Sequence, residues 1–320
     1  DETLFPHPHR HRARGTLILA GCKTFSPDVG MSVVNDFSAR QLGKDTVAIR
    51  SEDDDAAARA RVAHLIKRPL SADAAVQIAL LKNRGLQAAY NELGIAEASM
   101  VAESLPPNPT LSISRMSGAE LEIERRIVAD ILGLATLPAR ADIAQGHFRQ
   151  AQLRAAGETA RVAAETRRAY YGAVASQQLA NRLGDAQTAA ANAAKLATRL
   201  GESGALNKLD QAREQVFYAE ITAQRATTRQ QASGEREKLV RAMGLWGSDL
   251  VFKLPSALPV LPARARALRT IERDALAQRV DVQIARIEVE TLAKSYGLTQ
   301  ATRFINVLEL GGTDKTVRPA

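Results

Sequence analysis

Small apolar residues recur at alternating steps of three and four positions through the centre of the chain. Heptad spacing of this kind is typical of helices that pack lengthwise against each other. The spacing is interrupted once, between Gly201 and Gly204, where glycine allows the chain to reverse. The pattern therefore predicts an antiparallel helical hairpin. Its two apolar series are Leu179, Leu183, Ala186, Ala190, Ala193, Ala197 and Leu200, then Leu209, Ala212, Val216, Ala219, Ala223 and Ala226.

The first arm of this hairpin is long. No proline lies between Pro138 and Pro255, and the 63 residues from Pro138 to Leu200 would form a helix of about 95 Å. Helices of ordinary globular domains run to about 20 residues. The sequence therefore predicts a rod, with the hairpin over 138–244.

A further helix precedes the hairpin, and two strands separate the two. Ser71 is a suitable N-cap, and helical spacing continues over 71–104 until Pro106 and Pro107 end it. This helix and the returning arm of the hairpin, stacked end to end, have about the length of the long arm. The two strands are predicted over 110–116 and 120–128.

The second strand carries acidic and aliphatic residues in strict alternation. Glu120, Glu122 and Glu124 would lie on one face, with Leu121 and Ile123 on the other. Such a strand fits a membrane barrel with lipid outside and water inside. A half-exposed hairpin on a protein surface has the same pattern, so both interpretations stay open.

The chain then repeats itself at an offset of 196 residues. With Leu86 aligned to Val282, four positions are identical: Gln87, Ala89, Glu92 and Ser99 match Gln283, Ala285, Glu288 and Ser295. The second copy is expected to hold a helix over about 268–301 and a strand over 303–310. Helix followed by strand in both copies indicates a tandem repeat.

The N-terminus has the layout of a secretory leader. Basic residues precede a short apolar stretch that ends in Leu19-Ala20-Gly21-Cys22, which resembles a bacterial lipobox. We therefore expect Cys22 to be lipidated, although a chance match within a leader would look the same. Residues 23–70 are expected to form a peripheral segment over the main body.

Composition narrows the classes of function. No apolar run reaches the 18 residues of a membrane-spanning helix, so only strands of a closed barrel would cross a bilayer. Aromatic residues are scarce at 4%, as expected where alanines let helices approach closely. The net charge of +8 is interleaved with acids, so no nucleic-acid partner is predicted. No catalytic, cofactor-binding or metal-binding motif is present, and we expect no enzyme.

In this order, the elements resemble the TolC-like outer-membrane efflux proteins, and among them the branch that serves heavy-metal pumps. The resemblance covers about 71–315. The residues that carry it are Leu105-Pro106-Pro107-Asn108-Pro109, Arg168-Ala169-Tyr170-Tyr171, the stretch from Gly204 to Ala212, and Arg279-Val280-Asp281.

The resemblance implies a mainly α fold: a long coiled-coil hairpin, the element of an α-barrel, with short strands of a shared β-barrel. It further implies a homotrimer in the outer membrane that projects into the periplasm. Each subunit would give four strands to a twelve-stranded barrel. The hairpin tips would meet a periplasmic adaptor coupled to an inner-membrane pump, with metal cations as cargo. The chain stops after its third strand, so we expect the second repeat to be incomplete.

Two kinds of site follow from these expectations. The adaptor would dock at the hairpin tip, and Glu120, Glu122 and Glu124 would face the lumen, unless they are only solvated surface. A periplasmic adaptor and a soluble coiled-coil scaffold remain as alternative functions. The tip residues are Leu200, Gly201, Gly204, Ala205 and Leu206. The expected organisation is a leader (1–22), a peripheral segment (23–70), a first repeat (71–250), a linker (251–267) and a second repeat (268–320).

Overall fold

The computed structural model describes residues 25–118, 120–261, 263, 271–305 and 307–319. Its helices are α1 (Ser32–Phe37, continued by a π-helical turn over Ser38–Leu42), α2 (Glu52–Ile66), α3 (Ala72–Lys82), α4 (Arg84–Glu103), α5 (Ile131–Glu202), α6 (Lys208–Met243), α7 (Ile271–Gln278) and α8 (Val280–Thr302). Its strands are β1 (Thr110–Ser117), β2 (Glu120–Asp130) and β3 (Glu309–Pro319). The mainly α fold class with a long hairpin is confirmed.

Helix α5 is the long central helix against which α1, α3, α4, α6 and α8 pack. Its 72 residues span about 108 Å. It begins at Ile131, ahead of the predicted boundary at Pro138, because the side chain of Asp130 accepts a hydrogen bond from Gly133 N at 2.7 Å and caps the helix. Pro138 lies inside the helix.

The helix predicted over 71–104 is two helices. Asn83 has an extended backbone (φ −67°, ψ 114°), and its side chain caps α4 by accepting from Leu86 N at 3.0 Å. The same side chain donates to Ala242 O at the end of α6, also at 3.0 Å. The break therefore joins α4 to the end of α6. Helices α4 and α6 pack along α5 one after the other, as their lengths predict.

Two hydrophobic clusters hold this arrangement. One, around α4 and the first half of α5, includes Leu86, Tyr90 and Phe148. The other, around α3, the middle of α5 and the end of α6, includes Leu81 and Leu239. Burial of Tyr90 raises its pKa to about 12, and its hydroxyl lies 3.0 Å from Thr159 Oγ1.

The segment expected to lie peripherally contributes to both clusters. Met31, which precedes α1, and Val34, within α1, are buried in the first cluster. Ala58 and Val62 of α2 are buried in the second. Helix α2 begins with a capping box between Ser51 and Asp54. Some side chains of residues 25–70 therefore contribute to the core, while most of this segment is exposed or half-buried.

The second repeat has the same break as the first. Helix α8 begins after Arg279, which has φ −63° and ψ 120°. Positions 83 and 279 are 196 residues apart, the offset at which the sequences align. The strand expected over 303–310 was misplaced, because α8 continues to Thr302 and β3 begins only at Glu309.

The three strands form one antiparallel sheet in the order β1-β2-β3. Thr110 pairs with Val128, and Asp130 pairs with Glu309. Strand β2 has 11 residues and leads directly into α5. No helix in the described part of the chain is both long enough and apolar enough to cross a lipid bilayer.

Candidate interaction surfaces: the hairpin tip and the sheet

The hairpin tip is a compact turn between α5 and α6. Two backbone N–H groups, of Ala205 and Leu206, donate to Leu200 O at 2.8 and 3.1 Å. Gly204 has a φ of +77°, which a side-chain-bearing residue would adopt only with strain. Asn207 then caps α6 by accepting from Asp210 N at 2.8 Å. Local hydrogen bonds therefore fix the turn.

Gly201 has a different role from the one its place in the sequence predicts. It lies within α5, so it does not supply a positive φ. A Cβ at this position would lie 2.7 Å from Gln211 Oε1 on α6. Gly201 therefore lets the two helices approach each other at the tip.

Of the two leucines predicted at the tip, one differs in exposure from what the sequence predicts. Leu200 is 39% exposed, as expected of a docking surface, but Leu206 is half-buried against the turn. Leu209, in the first turn of α6, is 62% exposed. The apolar surface at the tip is thus formed by Leu200 and Leu209, with Ala205 between them in the chain.

The buried seam of the hairpin is offset from the predicted stripes. Leu179, the first residue of the predicted series, is 51% exposed, whereas the next residue, Ala180, is buried. One residue rotates a helix by about 100°, so much of the predicted apolar series faces outward. Within the first series only Ala190 and Ala197 are buried.

Polar contacts occupy the seam instead. Gln187 Nε2 donates to Thr222 Oγ1 at 3.0 Å, and Gln215 Nε2 donates to Thr198 Oγ1 at 3.2 Å. Small residues face long ones across the seam, which an apolar pattern does not reveal. The outward-facing part of the predicted apolar series and the apolar tip therefore have no partner in the described part of the chain.

The glutamates of β2 lie on one face of the sheet. Glu120, Glu122 and Glu124 occupy alternate positions of β2 and share one face, as the alternation predicts. Their charge is partly offset there, because Lys315 Nζ lies 2.5 Å from Glu122 Oε1 and Arg126 Nη2 lies 3.0 Å from Glu124 Oε1.

The opposite face of the sheet exposes aliphatic side chains together with charged ones. Arg125 pairs there with Asp314 at 2.9 Å, and Arg115 and Arg318 share this face. Within the described strands, the outer edges of β1 and β3 have no neighbouring strand. Unpaired edges present rows of free backbone N–H and C=O groups. The exposed aliphatic residues of this face are Leu111, Ile113, Ile127 and Leu310.

Cys22, the predicted lipidation site, lies outside the described residues. Four residues later the chain is anchored, since Ser26 donates to Glu97 Oε1 through its backbone N at 2.7 Å and through its hydroxyl at 2.5 Å. Glu97 is on α4, close to the helix end that leads to β1.

No protein-family model matches the sequence, and no curated protein matches it. Solved structures do match the fold. CusC, from a study of "conformational changes accompanying folding and transmembrane channel formation", aligns with a TM-score of 0.61 at 16% identity, over 78% of this chain and 60% of CusC.

Two further solved structures give the same result. The outer membrane protein VceC of Vibrio cholerae aligns with a TM-score of 0.56 at 14% identity, over 82% of this chain and 68% of VceC. The outer membrane channel CmeC of Campylobacter jejuni gives 0.55 at 15%, over 88% of this chain and 66% of CmeC. This chain thus spans about 60–68% of the length of these structures. Together with the helix, strand and hairpin order, they show that the chain has the TolC-like fold that its motifs predict.

Proposed function

We propose that this protein is a subunit of an outer-membrane efflux channel. It would be a passive exit duct for cargo delivered by an inner-membrane pump through a periplasmic adaptor. The observation that carries the proposal is the continuous path from the sheet through α5 to the hairpin tip, about 108 Å away. A sheet at one end and a narrow apolar tip at the other suit a duct that is anchored in one place and docks in another.

The sheet supports assembly from several copies. Its two open edges need partners, since unpaired backbone groups are costly away from water. Strands of neighbouring copies in a homotrimer would supply those partners. The aliphatic face around Leu111 and Ile127 would contact outer-membrane lipid, and the face with Glu120, Glu122 and Glu124 would line the water-filled passage.

The charges on the sheet bear on the cargo. Carboxylates along a passage raise the local concentration of cations, in keeping with metal cations as cargo. Lys315 and Arg126 on the same face reduce this effect. The alternative functions, a periplasmic adaptor or a soluble scaffold, leave the open sheet and its apolar face without a role.

Localisation tests the proposal most directly. Cells that express the full-length gene product should contain it in the outer-membrane fraction. Incorporation of radioactive palmitate should be abolished by Cys22→Ser. Recovery of the unaltered protein in the soluble fraction would contradict the proposal.

Docking at the tip calls for a separate test. Leu209→Glu suits this test because Leu209 is 62% exposed, whereas Leu206 is half-buried. With a photo-crosslinker at Ala205, we expect crosslinking to the adaptor to be lost in Leu209→Glu. A matched control is Val251→Glu, another exposed apolar residue that lies off the hairpin. Equal crosslinking in both variants would show that the tip is only a turn.

A further inference from the structure

A polar cavity of about 610 Å³ lies between α5 and α6, about midway along the hairpin. It exists because small residues, among them Ala180 and Gly184 on α5 and Ala232 on α6, leave space between the helices. Three arginines of α6 line it, namely Arg225, Arg229 and Arg236. The cavity therefore gathers positive charge between two helices.

Arg225 lies flat over Gly184. A Cβ built on Gly184 would be 3.3 Å from Nη2, 3.4 Å from Cζ and 3.4 Å from Nε of Arg225. Such nearly equal distances place the face of the guanidinium against the glycine, with its edges along the seam. A larger residue at position 184 would push Arg225 away.

One edge of this guanidinium is bound and the other is not. Nη1 donates to the side-chain oxygen of Gln187. Nε is buried, and the described residues offer it no hydrogen-bond acceptor. A buried donor on a charged group that lacks a partner is uncommon and marks a place for an acceptor. The edge formed by Nε and Nη2 is also the one that receives two oxygens of an oxyanion at once.

Arg229 lies one helical turn beyond Arg225, so the two side chains are neighbours on α6. It is exposed, and its side chain makes no hydrogen bond or ion pair with the described residues. Arg236 lies further along and is already engaged, since its Nη2 donates to Leu250 O and Phe252 O at 3.2 and 3.0 Å. Among the three arginines, Arg225 has a buried Nε without a partner and Arg229 has no side-chain partner within the described residues, whereas Arg236 is held against the 250–252 segment.

The acid that lines the cavity is Asp185, whose carboxylate lies 4.0 Å from Arg182 Nη1. Three arginines against one carboxylate leave the lining with net positive charge. Because the cavity is partly enclosed, that charge is less screened than on an open surface.

We propose that this cavity is an oxyanion-binding site, with Arg225 and Arg229 as its ligands and inorganic phosphate as a representative occupant. A tetrahedral oxyanion would accept hydrogen bonds from the free donors of both guanidinium groups in the space between α6 and α5. The proposal rests on this hairpin alone, so it does not depend on the efflux proposal.

The test is a titration of the purified full chain with sodium phosphate. Ionic strength is held constant with sodium chloride, and the midpoint of thermal unfolding is followed by circular dichroism. We expect a saturable rise in the midpoint, because a ligand of the folded state stabilises it. Arg229→Gln should weaken the apparent affinity about tenfold or more. This variant removes no contact within the described residues, so it should fold normally.

Two more variants make the test specific. Arg213→Gln removes another arginine of α6, paired with Asp210 at 3.0 Å outside the cavity, and should leave the phosphate response unchanged. Asp185→Asn removes the opposing carboxylate and should tighten binding about threefold.

Two outcomes would overturn the proposal. One is a phosphate response no larger than that of chloride at equal ionic strength, or an equal response in Arg229→Gln. The other is stabilisation that follows protein concentration instead of phosphate concentration, which would assign the cavity to a side chain of another copy.

Discussion

The two repeats carry the same pattern and are packed very differently. In the first, α3 and α4 are separated by the break at Asn83, and residues 75–81 of α3 are all buried. In the second, α7 and α8 are separated by the corresponding break at Arg279. Within the described parts of these two helices, only Thr291 is buried.

The surroundings account for this difference. Helix α3 packs against α2, α5 and α6, whereas its counterpart α7 packs mainly against α8 among the described elements. The break is also held differently. Asn83 is tied to α6 through Ala242, while Arg279 pairs with its neighbour Asp281. A similar local sequence thus gives a similar helix break, but burial depends on how many other elements surround the helix.

The largest expected effect tests this contrast at equivalent positions. Leu80 is 0% exposed on α3, and Leu276, which is 196 residues later on α7, is 56% exposed. Leu80→Ala should lower the free energy of unfolding by about 2–5 kcal/mol through lost burial and a cavity. Leu276→Ala should change it by about 0.5 kcal/mol or less. Chemical denaturation followed by circular dichroism measures both.

Equal losses in these two variants would break the comparison. They would show that α7 is as well buried as α3 in the folded protein, for example against another copy. Dilution of the sample would then lower the cost of Leu276→Ala but not that of Leu80→Ala.

A smaller effect is expected where α8 meets α5. A Cβ on Gly146 of α5 would lie 2.4 Å from Thr291 Oγ1, so Gly146→Ala should displace α8. This displacement should lower the free energy of unfolding by about 1–3 kcal/mol, and the higher helix propensity of alanine should offset part of that loss. Adding Thr291→Ala should recover most of that loss, since it removes the hydroxyl. Thermal unfolding of the single and double variants measures the coupling.

Gly157 provides the matched control for this contact. A Cβ there would lie 3.4 Å from Val280 Cγ1, an ordinary contact distance. Gly157→Ala should therefore stabilise the protein by up to about 1 kcal/mol through helix propensity. A Gly146→Ala variant that is as stable as Gly157→Ala would show that α8 does not press on α5 at Thr291.

The smallest effect concerns the ion pair that ties α3 to α5. Asp73 Oδ1 lies 3.0 Å from Arg167 Nη2 and 3.5 Å from Lys44 Nζ. The hydrogen bond from Arg167 holds the pKa of Asp73 below its ordinary value. A carboxylate whose pKa is lower in the folded than in the unfolded chain stabilises the protein at pH values above its pKa in the unfolded chain. This stabilisation is lost as the pH falls through its pKa in the folded chain.

Asp73→Asn should therefore reduce stability at neutral pH by only a few tenths of a kcal/mol, since the pair is exposed to solvent. The loss of stability below about pH 5 should be shallower than in the unaltered protein. Denaturation curves from neutral to acidic pH measure both quantities. In an Arg167→Gln background the same substitution should have almost no effect; an undiminished effect there would assign the pH dependence to Lys44.

Several features of the fold could be predicted because they depend on local geometry. The side-chain alternation of a strand has a fixed period of two, so Glu120, Glu122 and Glu124 had to share a face once β2 formed. A glycine turn between two long helical series required a hairpin. The break at Asn83 also had a local signal, since Asn is a favoured N-cap and Gly85 follows it, although periodicity alone joined the two helices.

The arginine-lined cavity and the exposed tip depended on tertiary structure. A heptad pattern does not say which stripe faces the partner when the seam itself is polar, as Gln187 and Thr222 make it here. The burial of Leu206 and the free edge of Arg225 follow from the positions of neighbouring groups, which are distant in sequence or set by the turn. By itself the sequence determined the elements and their order, because propensity, turn chemistry and period act over a few residues. Only the tertiary structure decided which faces are buried, because burial is a property of the elements that surround a residue.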